Sequence, residues 1–187
     1  GNFSFPESLV KMAANRSSHP MSFTDTTGKF NEYDWKRSIN ITCALIRKYY
    51  KHKKEEIGLE LDERRRDRDY LYGRLLAIAD KMEAYALFKS GIKRPTNAVK
   101  LMSAFQIKPY TTWGQLFTQL LPYKNQLGGA GYYQSLIDEA MVLFRYGDYE
   151  NNSPLSPLYL LGYSAQNRAL SQKIKFMEVD QDDNITE

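Results

Sequence analysis

Hydrophobic positions recur at helical spacing along most of the chain. Between Asp67 and Leu87, residues Leu71, Leu75, Ile78, Met82 and Tyr85 follow alternating steps of four and three. That spacing stacks them on one side of an α-helix and makes a seam for neighbouring helices. Arg74, Asp80, Lys81 and Glu83 fall off the seam, which predicts an amphipathic helix with a solvated face. Gly73 lies one turn inside, at a cost of ~1 kcal/mol relative to Ala, so another helix is expected to approach closely there. Gly91 is the expected left-handed residue after the helix, with Pro95 just beyond.

The same pattern places the other elements. Pro6 opens a short helix to Asn15, and a Ser-, Thr-, Pro- and Gly-rich loop follows to about Asn31. From Glu32 to Lys54, Trp35, Ile39, Cys43 (or Thr42), Ile46 and Tyr50 line one face. Residues 55–66 break the periodicity at Gly58 and carry both charge signs, as a loop does. Thr96 is the expected N-cap of a helix over Asn97 to Phe105, stopped at Lys108-Pro109. Thr112 opens the next, with Trp113, Leu116, Phe117, Leu120 and Leu121 inward, ending at Pro122 or kinked there and carried to Gln126. Leu127-Gly-Gly-Ala-Gly131 reads as a flexible joint, and Tyr132 to Phe144 as another helix. Ser153-Pro154 is expected to start the last helix, through Leu158, Leu161, Ala165 and Leu170. Alternating strand patterns and hairpin turns are nearly absent. The expected fold is an all-α bundle of six to seven helices over residues 1–177: a short helix and loop in 1–31, then the core. Residues 178–187 should form a disordered acidic tail.

Composition adds a charge asymmetry. The net charge is +4, but Glu178 to Glu187 hold five acids and no base, which leaves +9 on residues 1–177. A basic body points to a polyanionic partner. The single cysteine, Cys43, excludes an internal disulfide framework and a cysteine-rich zinc site. No apolar run approaches the ~18 residues of a membrane-spanning helix. GNFSFPESL has no basic region followed by an apolar one, so no signal peptide is visible and cytoplasm is the default location. Gly1 in place of Met suggests a piece of something longer.

Catalytic chemistry finds no support in the residues. His19 and His52 have no ligand spacing to each other or to Cys43, so no metal or other cofactor is expected. Cys43 sits on an apolar helix face and reads as a buried small side chain. The acids at Glu55, Glu56, Glu60, Asp62 and Glu63 are interleaved with arginines, which suits a solvated loop better than a hydrolytic pair. The glycines at 128–131 follow no strand and lack the Lys-Ser/Thr of a phosphate loop. The chain is therefore expected not to be an enzyme.

The positive chemical feature is Arg47 to Arg68, with nine Lys/Arg against six Asp/Glu. Tyr49 and Tyr50 among its bases could stack on nucleobases while lysines meet phosphates. A solvated, salt-bridged helix end is the competing account. Lys48, Lys51, Lys53, Lys54, Arg64, Arg65, Arg66 and Arg68 are the candidate electrostatic track. Lys89, Lys93, Arg94, Lys100 and Lys108 form a second basic set. No recognition-helix signature is present, so base-specific reading is not expected.

Several stretches resemble one known family. Leu59 to Ala86, with Tyr70-Leu-Tyr-Gly-Arg-Leu75, resembles the region around the Tyr-Leu-Leu-Gly-Arg-Leu motif in the large subunit of type I-C CRISPR surveillance complexes (Cascade). PYTTWGQLFTQLLPYKNQL, then YYQSLIDEAMVLF, resemble the helices that follow it. SPLYLLGYSAQNRAL resembles the family's later Leu-Gly-Tyr-Tyr-His-Gln-Arg segment, and PESLVKMAANRSSHP fits in order at the start. Tyr72 stands for the usual Leu, and the usual His is missing from residues 164–167. The resemblance covers the chain to about residue 170. It implies the C-terminal, small-subunit-like helical domain of that subunit, or the same region made as a separate small subunit from an internal start; Met12 and Met21 both qualify. It further implies packing on the backbone subunits, a place beside guide RNA and target DNA, and support of the displaced non-target strand. A recruited helicase-nuclease would supply the cleavage. Arg74 and Arg168 join the candidate nucleic-acid contacts because they belong to the matching motifs. The rival readings are a stand-alone helical nucleic-acid-binding regulator and a purely structural helical adapter.

Overall fold

The seam centred on Leu75 and Ile78 becomes the axis of a helical bundle. A computed structural model of the chain describes residues 6–124 and 130–182. Its helices are α1 (Glu7–Ser17), α2 (Glu32–His52), α3 (Arg68–Lys89), α4 (Asn97–Lys100), α5 (Met102–Ile107), α6 (Pro109–Lys124), α7 (Ala130–Met141) and α8 (Leu158–Asp182). A 3-10 turn at Pro20–Ser22 follows α1. The fold is all-α; among the described residues the only β pairing is an isolated bridge between Thr24 and Phe30, around a turn at Gly28.

Helix α3 packs most extensively on α8 and also touches α4, α6 and α7, while α1 lies on α2. The α3–α8 contact depends on two glycines. A Cβ at Gly73 would lie 1.9 Å from the Tyr159 carbonyl oxygen, and one at Gly162 would lie 2.1 Å from that of Tyr70. The expected close approach at Gly73 is present. Its partner, Gly162 on α8, is equally obligatory.

Because helices surround it, α3 is not the amphipathic helix the sequence predicts. Arg74 and Glu83 are buried, and Tyr85 is 37 % exposed at the end where the seam runs out. Each buried charge has a partner. Arg74 Nε donates to Gln166 Oε1 at 3.0 Å. Glu83 pairs with Arg94 Nη2 at 2.9 Å and accepts the Asn97 backbone N–H at 2.6 Å. Charges with a polar partner can stay buried where wholly unpaired ones could not, although Arg74 Nη1 is left without a hydrogen-bond acceptor.

The caps follow sequence chemistry. Asn31 accepts from the Asp34 N–H at 3.1 Å, and Thr96 from the Val99 N–H at 3.2 Å. Gly91 has φ +66° after α3, as expected. The boundaries differ at several places. The helix expected over Asn97–Phe105 divides at Leu101, which raises the count to eight helices among the described residues. Pro109 occupies the first turn of α6, where its missing N–H costs nothing, so α6 opens ahead of Thr112. Pro122 lies inside α6, and Leu121 is exposed instead of inward. Helix α7 begins at Ala130, so Gly131 is helical; residues 125–129, most of the expected joint, lie outside the described residues. Finally, α8 starts at Leu158, after Pro157, and continues to Asp182, so Glu178–Asp182 of the expected disordered tail are helical. Residues 183–187 lie outside the described residues. No described helix is long and apolar enough to cross a membrane.

Candidate nucleic-acid interface

The basic end of α2 is presented by burial of its other face. Trp35, Ile39, Cys43 and Ile46 point into the core, which leaves Lys48, Lys51, Lys53 and Lys54 exposed. Helix α2 ends at His52, two residues early, and Lys54 takes φ +61°, turning the chain back. The loop 55–66 then folds onto the helix. Arg47 Nε donates to the Ile57 carbonyl at 2.9 Å, and the Glu55 N–H donates to Tyr50 O at 3.0 Å. Arg65 clamps this return by pairing with Glu55 and, at 2.7 Å, with Asp67. Lys51–Lys54 and Arg64–Arg66 are thereby held at one end of the bundle.

The ten candidate bases divide by environment. Lys48, Lys51, Lys53, Lys54, Arg64 and Arg66 are exposed. Arg65 is engaged by its two acids and lies 5.7 Å over the Tyr70 ring. Its guanidinium stays charged because those carboxylates outweigh the burial that opposes them. Arg68 pairs with Asp69 at 2.6 Å and donates to the carbonyls of Asn151, at 2.8 Å, and Ser153. Arg74 is enclosed between α3 and α8; burial lowers its pKa, though not enough to discharge a guanidinium. Arg168 is half-buried on α8, 3.6 Å from Glu60. The chemistry of Arg65, Arg68 and Arg74 is thus largely spent inside the fold.

The two tyrosines among the bases are also partly used. Tyr49 and Tyr50 pack edge-to-face at 5.5 Å and lean on the core, and Lys53 Nζ sits 4.6 Å over the Tyr49 ring. The Tyr50 hydroxyl pKa is raised, first by burial and then by nearby Glu55. Of the second basic set, Arg94 turns inward to Glu83, to the Pro95 carbonyl and to Tyr123 Oη at 2.7 Å. Lys89 lies 5.5 Å over the Tyr85 ring, and Lys93 stays exposed.

Sequence reasoning missed a groove of about 1170 Å³ between α2, the end of α3, α4 and α8. Its floor holds an acid–hydroxyl network. Asp80 accepts from Thr96 Oγ1 at 2.5 Å and from Tyr163 Oη at 2.6 Å. Burial pushes the Asp80 carboxyl upward against the lowering effect of those hydrogen bonds. Beside it Lys81 donates to Ser171 Oγ at 3.0 Å, and its pKa is lowered by burial and then by neighbouring Lys36. The available signal was Phe88 and Ile92, apolar residues four positions apart beyond the seam and beside Lys89, Lys93 and Arg94.

Comparison with known proteins agrees with the family resemblance at a coarser level. The family model described as CRISPR-associated protein (Cas_Csd1) matches residues 2–171. No curated protein matches the chain. Within the matched span, the two segments that carry the resemblance meet in space: Gly73 and Arg74 on α3 face Tyr159, Gly162 and Gln166 on α8.

Proposed function

The chain belongs to the Cas_Csd1 family of CRISPR-associated proteins, and we propose that it is a non-catalytic, small-subunit-like domain of a type I-C surveillance complex. In this reading it packs on the backbone subunits and supports R-loop formation through sequence-independent contacts to the non-target DNA strand. Guide pairing reads the target, and the protein contributes charge along the nucleic-acid backbone. Cleavage falls to a recruited helicase-nuclease.

The observation that carries this reading is the exposed group Lys51, Lys53, Lys54, Arg64 and Arg66, held together by the Arg65 clamp. Exposed bases on a pinned loop can meet phosphates without rearranging the core. The test is Lys51→Glu, Lys53→Glu and Lys54→Glu together, assembled with backbone subunits and guide RNA. R-loop yield should fall while the melting temperature holds. The slope of log affinity against log salt should shrink by roughly 0.7 per lost single-strand contact. An unchanged R-loop yield would remove this track from the function.

A further inference from the structure

The groove beside Asp80 combines an apolar floor with a basic rim. Ile39, Leu87 and Val99 lie along its base, and Met21, Phe88 and Ile92 are 46 %, 78 % and 50 % exposed at its edge. Lys29, Lys36, Lys93 and Arg168 line it too; within the groove's lining six bases outnumber two acids, Glu32 and Asp80, and four still do once Arg94 and Arg168 are set against Glu83 and Glu60 beside it. Lys36 shares its charge with Glu32 at 2.6 Å, in a pair exposed enough to exchange partners. At about 1170 Å³ the groove exceeds the ~300–1,000 Å³ of ordinary small-molecule pockets, and it suits a segment of polypeptide better.

The same chain carries a segment of complementary chemistry. Phe176, Met177 and Val179 alternate with acids at the end of α8, and Glu178–Glu187 hold five acids without a base. That segment is poorly placed for its own groove. Arg168 and Ser171 of α8 already form part of the groove wall. From Ser171 the helix continues to Asp182, running ~16 Å further along its axis and away from those residues at 1.5 Å per residue. The groove of a second molecule has no such restriction.

We propose that the acidic, apolar C-terminal segment of one copy docks into the basic, apolar groove of another. Donor and acceptor surfaces differ, so the contact is head-to-tail. Each added copy presents a fresh groove or a fresh segment, and assembly continues past the dimer unless geometry closes a ring. The excess of bases over acids at the groove selects this occupant over a neutral peptide. Phe88 is the one exposed aromatic ring in the lining, beside aliphatic Met21 and Ile92, which favours a protein over a nucleic acid that would stack on several aromatic faces.

Sedimentation velocity of the full chain tests the proposal, over a concentration series reaching about 100 µM, since self-association follows mass action. The sedimentation coefficient should rise with concentration beyond that of a dimer. It should fall when salt is raised from about 0.05 M to 0.5 M, as screening shortens the reach of the charges. Glu178→Gln with Asp180→Asn and Asp182→Asn should weaken association at least about tenfold, as should Lys36→Glu with Lys93→Glu. The decisive sample mixes that groove variant with a chain carrying Glu178→Lys, Asp180→Lys and Asp182→Lys. Two chains that fail alone should pair when mixed. Reversal of Lys51, Lys53 and Lys54 should leave association unchanged, which separates this result from the DNA-binding reading. A wild-type chain monomeric throughout, or association indifferent to the acidic segment, would overturn the proposal. So would a groove variant whose only defect is binding to a single-stranded oligonucleotide.

Discussion

Gly73→Ala tests the α3–α8 contact with a single methyl group. The new Cβ would sit 1.9 Å from Tyr159 O and 2.8 Å from the Tyr163 nitrogen, whereas ordinary contact begins near 3.4 Å. Both obstacles are backbone, so no rotamer change relieves them, and the helices must part by about 1.5 Å locally. A gap of half that size already forfeits a quarter to a half of each dispersion contact across the seam. The fully buried Leu75, Leu76, Tyr159 and Leu160 are among the side chains that lose packing. Overpacking of this kind costs ~1–3 kcal/mol or more, and alanine returns only ~1 kcal/mol through helix propensity. With a rigid obstacle the cost lies at the upper end, so the net loss should be about 2 kcal/mol, a fall of roughly 4–8 °C in melting temperature for a chain of this size. Urea unfolding followed by circular dichroism measures it. Gly114→Ala on α6 is the control, because nothing lies within 4 Å of its Cβ; it should gain roughly 0.5–1 kcal/mol. Gly162→Ala added to Gly73→Ala should cost less than it does alone, since the helices are already parted. If Gly73→Ala unfolds within ~0.5 kcal/mol of wild type, the close approach is not what holds this pair.

Three further outcomes follow from buried groups. Burial raises the Asp80 carboxyl above its ordinary 3.8, so the folded chain holds that proton more tightly than the unfolded one. Asp80 therefore stabilises most at and below pH ~4 and progressively less as pH rises through its folded pKa. The stability difference between wild type and Asp80→Asn, from urea titrations at each pH, should accordingly shrink between pH ~4 and 7; a widening difference would reverse the assignment. The Cys43 thiol is pushed up to about 11 by burial and donates to Leu160 O at 3.5 Å. Its reaction with a chromogenic disulfide at pH 8 should be at least ~100-fold slower in the folded chain than in urea. Arg68→Ala should cost roughly 1–2 kcal/mol, because it removes hydrogen bonds to the Asn151 and Ser153 carbonyls and the Asp69 pair. Arg64→Ala and Arg66→Ala, at exposed positions, should stay within ~0.5 kcal/mol.

Much of this architecture was legible along the chain. Asn31 and Thr96 cap helices because a side-chain oxygen reaches an N–H three residues on, an interaction that needs no tertiary partner. Gly91 ends α3 for an equally local reason, its freedom to adopt φ +66°. The seam from Leu71 to Met82 is buried as its spacing predicts, but the core takes the other sides of α3 as well. The candidate interface was legible only in part. A run of lysines and arginines announces positive charge, but charge that is exposed and charge that is spent on a carboxylate look alike in a sequence. Arg64 and Arg66 remain in solvent while Arg65 between them closes a clamp, and the difference lies in where Glu55 and Asp67 come to rest.

The sequence by itself determined that this chain is helical, where α2, α3 and α4 begin and where α3 ends, and that its body is basic and its end acidic. These follow from periodicity, caps and composition, all of them local. Only the tertiary structure decided that α3 would be enclosed, with Arg74 and Glu83 paired inside it. Only folding brought Gly162 against Tyr70 and opened a basic groove across residues from Met21 to Ser171. The physical reason is that a residue's burial depends on how many other helices reach it. That number is set by contacts between segments far apart in the chain, which no local pattern records.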